Sequence, residues 1–136
     1  MTNNNSFDCA ISIMNFINDN IDTYKRLEDN WLEHMGDYEN ANRCFYYRQA
    51  LANVSDDIDG IIHHQSIHGL DVYTILDCPS FIWLLQHRIS KHIDYINSWG
   101  YQYVMRDSAM LRHQLYMYET IYEYTVSACK RYNVYC

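Results

Sequence analysis

The side chains best suited to chemistry in this chain are histidines, carboxylates and one arginine with a histidine seven residues later, and spacing decides what each can do. His63, His64 and His68 follow closely on Asp56, Asp57 and Asp59, and His64 and His68 are one helical turn apart, so together they can be drawn as a metal site. The rest of a ligand set is missing from the sequence: no His-x-x-x-His pair carrying a Glu and no Glu-x-x-His pair of the di-iron bundles occurs elsewhere. The expectation for 63–69 is therefore a polar loop between two helical hairpins, with no metal and no cofactor. Arg106 and His113 share one face of a helix. The sequence contains no nucleophilic triad, no phosphate-cradling glycine loop and no basic patch for nucleic acid.

The string Arg106-Asp107-Ser108-Ala109-Met110-Leu111-Arg112-His113 resembles the Arg-x(4–6)-His signature of HEPN ribonucleases, small all-helical proteins that are usually dimeric. That resemblance implies proton transfer by His113 and phosphate binding by Arg106, in a site assembled across two subunits. It lacks the tyrosine two residues after the histidine that some toxin members carry. A second string, Asn97-Ser98-Trp99-Gly100-Tyr101, is similar to the Asn-Trp-Gly-Arg motif of the apoptosis-regulator helical fold, also used by poxviral immune modulators. Here a serine is inserted and a tyrosine stands in place of the arginine. The same residues also read as a plain helix end, with Trp99 buried and Gly100 in the left-handed cap.

These residues must be positioned by helices. Four glycines and one proline leave no room for a turn-rich β fold, and a helical apolar period runs from Phe7 to Tyr132. Phe7, Met14, Ile17, Ile21, Tyr24, Trp31, Leu32 and Met35 fall on one face of a first helix, which Gly36 ends and Asp37 follows as the next N-cap. Cys44, Tyr47, Leu51, Val54, Ile58 and Ile62 make the seam of a second helix. After a short helical piece within Leu70–Leu76, Pro79 opens a third long helix with Ile82, Leu85, Ile89, Ile93, Ile96 and Trp99 inside. The last helix, from about Tyr103 or Asp107 to Tyr132, buries Leu111, Leu115, Tyr118, Tyr122, Val126 and Cys129. The fold class is thus all-α: an antiparallel bundle of four long helices, two successive hairpins, with a short extra helix between them. Residues 1–136 are expected to form one helical domain, with 1–6 a flexible amino terminus.

Charge and aromatic content point away from chemistry and toward a partner. Residues 1–60 carry 11 acids and 4 bases, whereas residues 61–136 carry 6 of each, so the whole −7 lies in the first half. Such a surface disfavours nucleic acid and anionic membranes and steers toward a basic or mixed-charge protein surface. Asp8, Asp19, Asp22, Asp29 and Glu33 project into a sector roughly 80° wide on the first helix, diluted by Arg26. Glu28 is the misfit, falling on the apolar side, where it either pairs with Lys25 or marks a shift of the apolar face. Phe45, Tyr46, Trp83 and Tyr116 lie off the core seams and need a cover, supplied by the chain itself, a homodimer or a partner.

The function expected is a small cytosolic, non-enzymatic interaction protein that binds and blocks a partner, of the kind phages or viruses direct against host defence. Its partner-binding residues would be Asp19, Asp22, Asp29, Glu33, Phe45, Tyr46, Trp83 and Tyr116. The alternatives are a HEPN-like ribonuclease using Arg106 and His113, and an apoptosis-regulator-like viral modulator. The longest apolar run, Phe81–Leu85, is far short of the roughly 20 residues that cross a bilayer, and Met1–Ser6 lacks the basic and apolar regions of a secretory signal. The five widely spaced cysteines, without a CxxC pair, read as reduced thiols. With neither a metal nor a disulfide expected to hold the fold, thermal melts with and without chelator or reductant should coincide. A large drop in melting temperature with either agent would overturn that expectation.

Overall fold

A computed structural model describes residues 5–99 and 108–135, all of whose regular structure is helical. The elements are α1 (Asn5–Asn30), continued by a π-helical turn (Trp31–Met35), α2 (Tyr38–Ile67), α3 (Val72–Leu76), α4 (Pro79–Trp99) and α5 (Ala109–Arg131). Four long helices and one short one between the hairpins form an all-α bundle, as the apolar period requires. No described helix is long and apolar enough to cross a membrane.

The breaks follow local chemistry. Gly36 and Gly69 take the left-handed conformation, with φ of 61° and 89°, which costs a glycine nothing because it has no Cβ. Three polar side chains cap the helices that follow: Asp37 accepts from the Asn40 N–H at 3.1 Å, Asp71 from Thr74 at 2.8 Å and Ser108 from Leu111 at 3.1 Å. Each satisfies an otherwise unpaired helical N–H and contributes about 1 kcal/mol.

Four sequence expectations are corrected at these ends. The stretch 63–69 is not a loop, because α2 continues through Ile67 and stops only at Gly69; nothing before that glycine breaks a helix. The last helix starts at Ala109 behind the Ser108 cap, while Gly100 and 101–107 lie outside the described residues. At the amino terminus, Asn5 and Ser6 already belong to α1, and Ser6 is buried. Leu32 and Met35 are 40% and 64% exposed rather than internal, since the wider π-helical turn rotates them off the α1 core face.

Cross-helix pairs fix the directions. The tight connection at Gly36–Asp37 folds α2 back along α1, so the two run oppositely, with Tyr24 against Tyr47 and Glu28 against Arg48. Gln86 donates to Thr125 and His92 stacks on Tyr118, so α4 and α5 are also opposed. Gln49 pairs with Gln114 and Asn53 with Tyr118 at one constant offset, which makes α2 and α5 parallel. These two pack directly against each other, whereas α1 and α4 barely touch.

The core lies between these helices. Cys9, Ala10, Ile13 and Ile17 come from α1, Leu51, Val54 and Ile58 from α2, and Ile82, Leu85 and Ile89 from α4. Helix α5 contributes Met117, Tyr118, Ile121 and Ala128, a seam displaced from the expected Leu111, Leu115 and Tyr122, which are only partly buried. The α1 face is displaced in the same way toward its small residues, which let α1 approach its neighbours closely. Cys9, Cys44 and Cys78 are free, but Cys129 is disulfide-bonded. The expectation of five reduced thiols therefore fails at Cys129, and with it the ground for expecting reductant to leave the melt unchanged, because the absence of a CxxC pair does not exclude a disulfide.

Glu28 is neither paired with Lys25 nor a sign of a shifted face. Arg48 donates to its Oε1 through Nη2 at 2.7 Å and Nε at 3.2 Å, with both side chains mostly shielded from solvent, while Lys25 pairs with Asp29. Breaking this bridge from one side leaves a shielded charge without a partner. Arg48→Ala or Glu28→Ala should each cost about 1–3 kcal/mol in denaturant melts, and the double variant less than the sum of the two. Additive losses would mean that the pair is worth no more than an exposed one.

Candidate functional site

Parallel packing of α2 and α5 gathers rings at the end of the bundle where both helices begin. Tyr47 lies edge-on to His113 with centroids 5.5 Å apart, contacts Tyr116 at 5.5 Å and meets Tyr24 of α1 at 5.2 Å. Tyr46 lies near-parallel to His113 with centroids 6.4 Å apart, Phe45 lies edge-on to Tyr46, and the Arg48 guanidinium sits over the Phe45 ring. Three of the four aromatics singled out in the sequence, Phe45, Tyr46 and Tyr116, thus belong to one cluster. The chain itself half-covers Phe45 and Tyr46, whereas Tyr116 remains 56% exposed. Trp83 stands apart on α4, 55% exposed and stacked on His87.

Burial among these rings raises the phenol pKa values of Tyr24 and Tyr47. It also lowers that of the His113 imidazole, helped by the nearby Arg112 and Arg43 cations and opposed by Glu39. The ring is thereby biased to the neutral form that packs against tyrosine faces. Arg106 lies outside the described residues, so the pairing implied by the HEPN resemblance is not among the contacts described.

Several carboxylates serve the fold. Asp37 and Asp71 cap helices, Glu28 bridges to Arg48, and Asp57 holds His92 at 2.7 Å and Arg88 at 3.9 Å. The histidine-rich end of α2 is separate from this last network: His64 and His68 touch each other edge-on, and no cluster of metal-ligating groups occurs among the described residues. By contrast Asp8, Asp19 and Asp22 are exposed and make no ion pair among the described residues. Asp29 and Glu33, expected on the same ridge, instead line a shallow depression with Arg26 and His34, so this stretch is of mixed charge.

A groove that the sequence reading missed runs between α1 and α5, about 580 Å³ in volume. Phe7, Ile11, Phe16 and Tyr132 give it apolar walls, Asn15 and Asn20 give it amides, and Asp8 and Asp19 stand along it. Phe16 stacks on Tyr124 at 4.0 Å, and the Tyr124 hydroxyl is 2.8 Å from Ser12 Oγ. Arg131 donates to both hydroxyls at 3.1 Å, with its guanidinium over the rings of Tyr124 and Tyr132. One signal was available in the sequence: Phe16 and Tyr124 both fall off their expected seams, yet only the α1/α5 packing pairs them.

No known protein family, curated protein or solved structure matches the chain.

The His113 environment has a pH signature. Because its folded pKa lies below the ordinary 6.5, the stability it contributes is complete above that pH and is lost as pH falls through the folded value. Imidazole titration by NMR should give a midpoint below 6.5, and His113→Phe should flatten the acid side of the stability profile. A midpoint above 6.5 would mean that the ring is not desolvated by its tyrosine neighbours.

Proposed function

We propose that the chain is a non-enzymatic interaction protein that binds the basic or mixed-charge surface of a partner protein and blocks it, as phage or viral inhibitors of host defence do. The observation that carries this reading is the open acidic face of α1. Asp19 and Asp22 are three residues apart on one helix, an arrangement of like charges that costs an isolated helix about 0.2–0.5 kcal/mol. These two, together with Asp8, face solvent and make no ion pair among the described residues, so α1 presents a run of open carboxylates. Unpaired carboxylates on a rigid helix raise the encounter rate with a cationic surface, while nearby rings provide the contacts that slow its departure. The exposed Tyr116 and Trp83 suit the second role, on different faces. A cytosolic setting belongs to the same proposal, and the disulfide at Cys129 is the feature that argues for an oxidising one instead.

The test compares wild type with the triple reversal Asp8→Lys, Asp19→Lys, Asp22→Lys against a partner captured from host cells. Association of the triple variant should be slower by about tenfold or more at low salt, with a flattened salt dependence. The dissociation rate and melting temperature should change little. Trp83→Ala or Tyr116→Ala should instead speed dissociation. Wild-type association in the triple variant would reduce the acidic face to a solvated one, and sedimentation of the chain alone separates capture of a partner from a homodimer.

A further inference from the structure

Resting on the proposed interaction role, we infer that the α1/α5 groove is the docking site and that its occupant is an amphipathic helix of a partner, with two basic residues eleven positions apart. Three observations lead there. The groove has aromatic walls, from Phe16 and Tyr124 stacked on each other and from Phe7 and Tyr132, which suit an apolar helical face. Asp8 and Asp19 stand along it without ion pairs among the described residues, so an incoming cation meets a carboxylate that nothing in the described chain neutralises. Arg131 demonstrates the recognition from within the molecule: its guanidinium lies 5.5 Å from the Tyr124 centroid and 5.4 Å from that of Tyr132, and it donates to the Ser12 and Tyr124 hydroxyls.

The geometry selects a helix over an extended segment. Both walls are helices whose backbone groups are bonded internally, so the groove offers no strand edge to which an extended chain could add. A helix brings its own backbone bonds and can lay its ridges along the cleft between two opposed neighbours. Eleven residues separate Asp8 from Asp19, about 16 Å along the axis, and an occupant helix lying along α1 covers the same length with basic residues at i and i+11 on one face. Ser12 and Arg131 sit one turn in from Asp8, so a carboxylate on the occupant between its two cations would meet Arg131. Basic ends around an acidic position give the occupant a mixed charge.

The test titrates the isotope-labelled full chain with synthetic helical peptides of about eighteen residues, roughly 27 Å long, on one leucine-and-alanine scaffold. Their two arginines are seven, eleven or fourteen positions apart, and a control carries glutamates in their place. At low salt the eleven-spaced peptide should bind about tenfold more tightly than the others, moving the amides of Ser12, Phe16, Tyr124 and Tyr132. Asp8→Lys with Asp19→Lys should weaken it by about tenfold or more. Both positions are exposed, so folding should survive, and Asp8→Asn with Asp19→Asn keeps their size while removing their charge. Equal binding at all spacings, or shifts confined to Asp22, Glu33 and the hairpin end, would overturn the groove while leaving the acidic-face reading intact. No saturable binding of any arginine peptide at millimolar concentration would overturn both.

Discussion

Helix α2 makes contact with every other helix of the bundle, so the arrangement of the whole depends on how its thirty residues divide among four neighbours. Cys44, Leu51, Val54 and Ile58 supply its continuous apolar stripe. Polar positions on either side of that stripe then select partners: Arg48 takes Glu28 of α1, Asp57 takes His92 and Arg88 of α4, and Gln49 and Asn53 take Gln114 and Tyr118 of α5. Burying apolar surface is indifferent to register, whereas a shielded charge or amide is not, because leaving it unpaired costs about 1–3 kcal/mol. The apolar stripe drives association and the polar flanks set alignment. The ring cluster around His113 exists only because that alignment places the beginnings of α2 and α5 side by side.

Charge in this molecule divides between alignment and display. Carboxylates close to a helix start or an opposing cation are consumed in building the fold, and their removal should register as lost stability. Those along the open face of α1 take no part in it. The same residue type therefore serves two ends in one chain, and only its neighbours distinguish them. Glu28 and Asp22 are six residues apart, yet one is shielded beside a guanidinium and the other faces water.

Much of the fold is legible in the sequence because helix starts and stops rest on local chemistry. Gly36, Asp37 and Pro79 act through their own dihedral angles or side-chain reach, and the helices turn where these residues stand. Errors arose where a distant part of the chain decides. The inner faces of α1 and α5 are shifted toward small and β-branched residues because close helix contact favours them, a choice that depends on what lies opposite. Leu32 and Met35 follow the α period in the sequence but sit in a π-helical turn, whose wider spacing that period cannot reveal. The candidate site was legible by halves. Phe45, Tyr46, Tyr116 and the acidic face could be picked out one residue at a time, but the groove needs α1 and α5 in contact, and nothing in the linear order of Phe16 and Tyr124 announces their stacking.

The alternating directions of the long helices bear on how the molecule looks from a distance. Each peptide unit carries a dipole along the helix axis, and a long helix behaves as if about half a positive charge sat at its start and half a negative charge at its end. With α1 opposed to α2 and α4 to α5, each end of the bundle gathers two starts and two finishes, and these partial charges offset one another. The backbone consequently projects almost no field beyond the surface. What an approaching molecule senses several ångström out is side-chain charge alone, and its negative excess belongs to the first sixty residues.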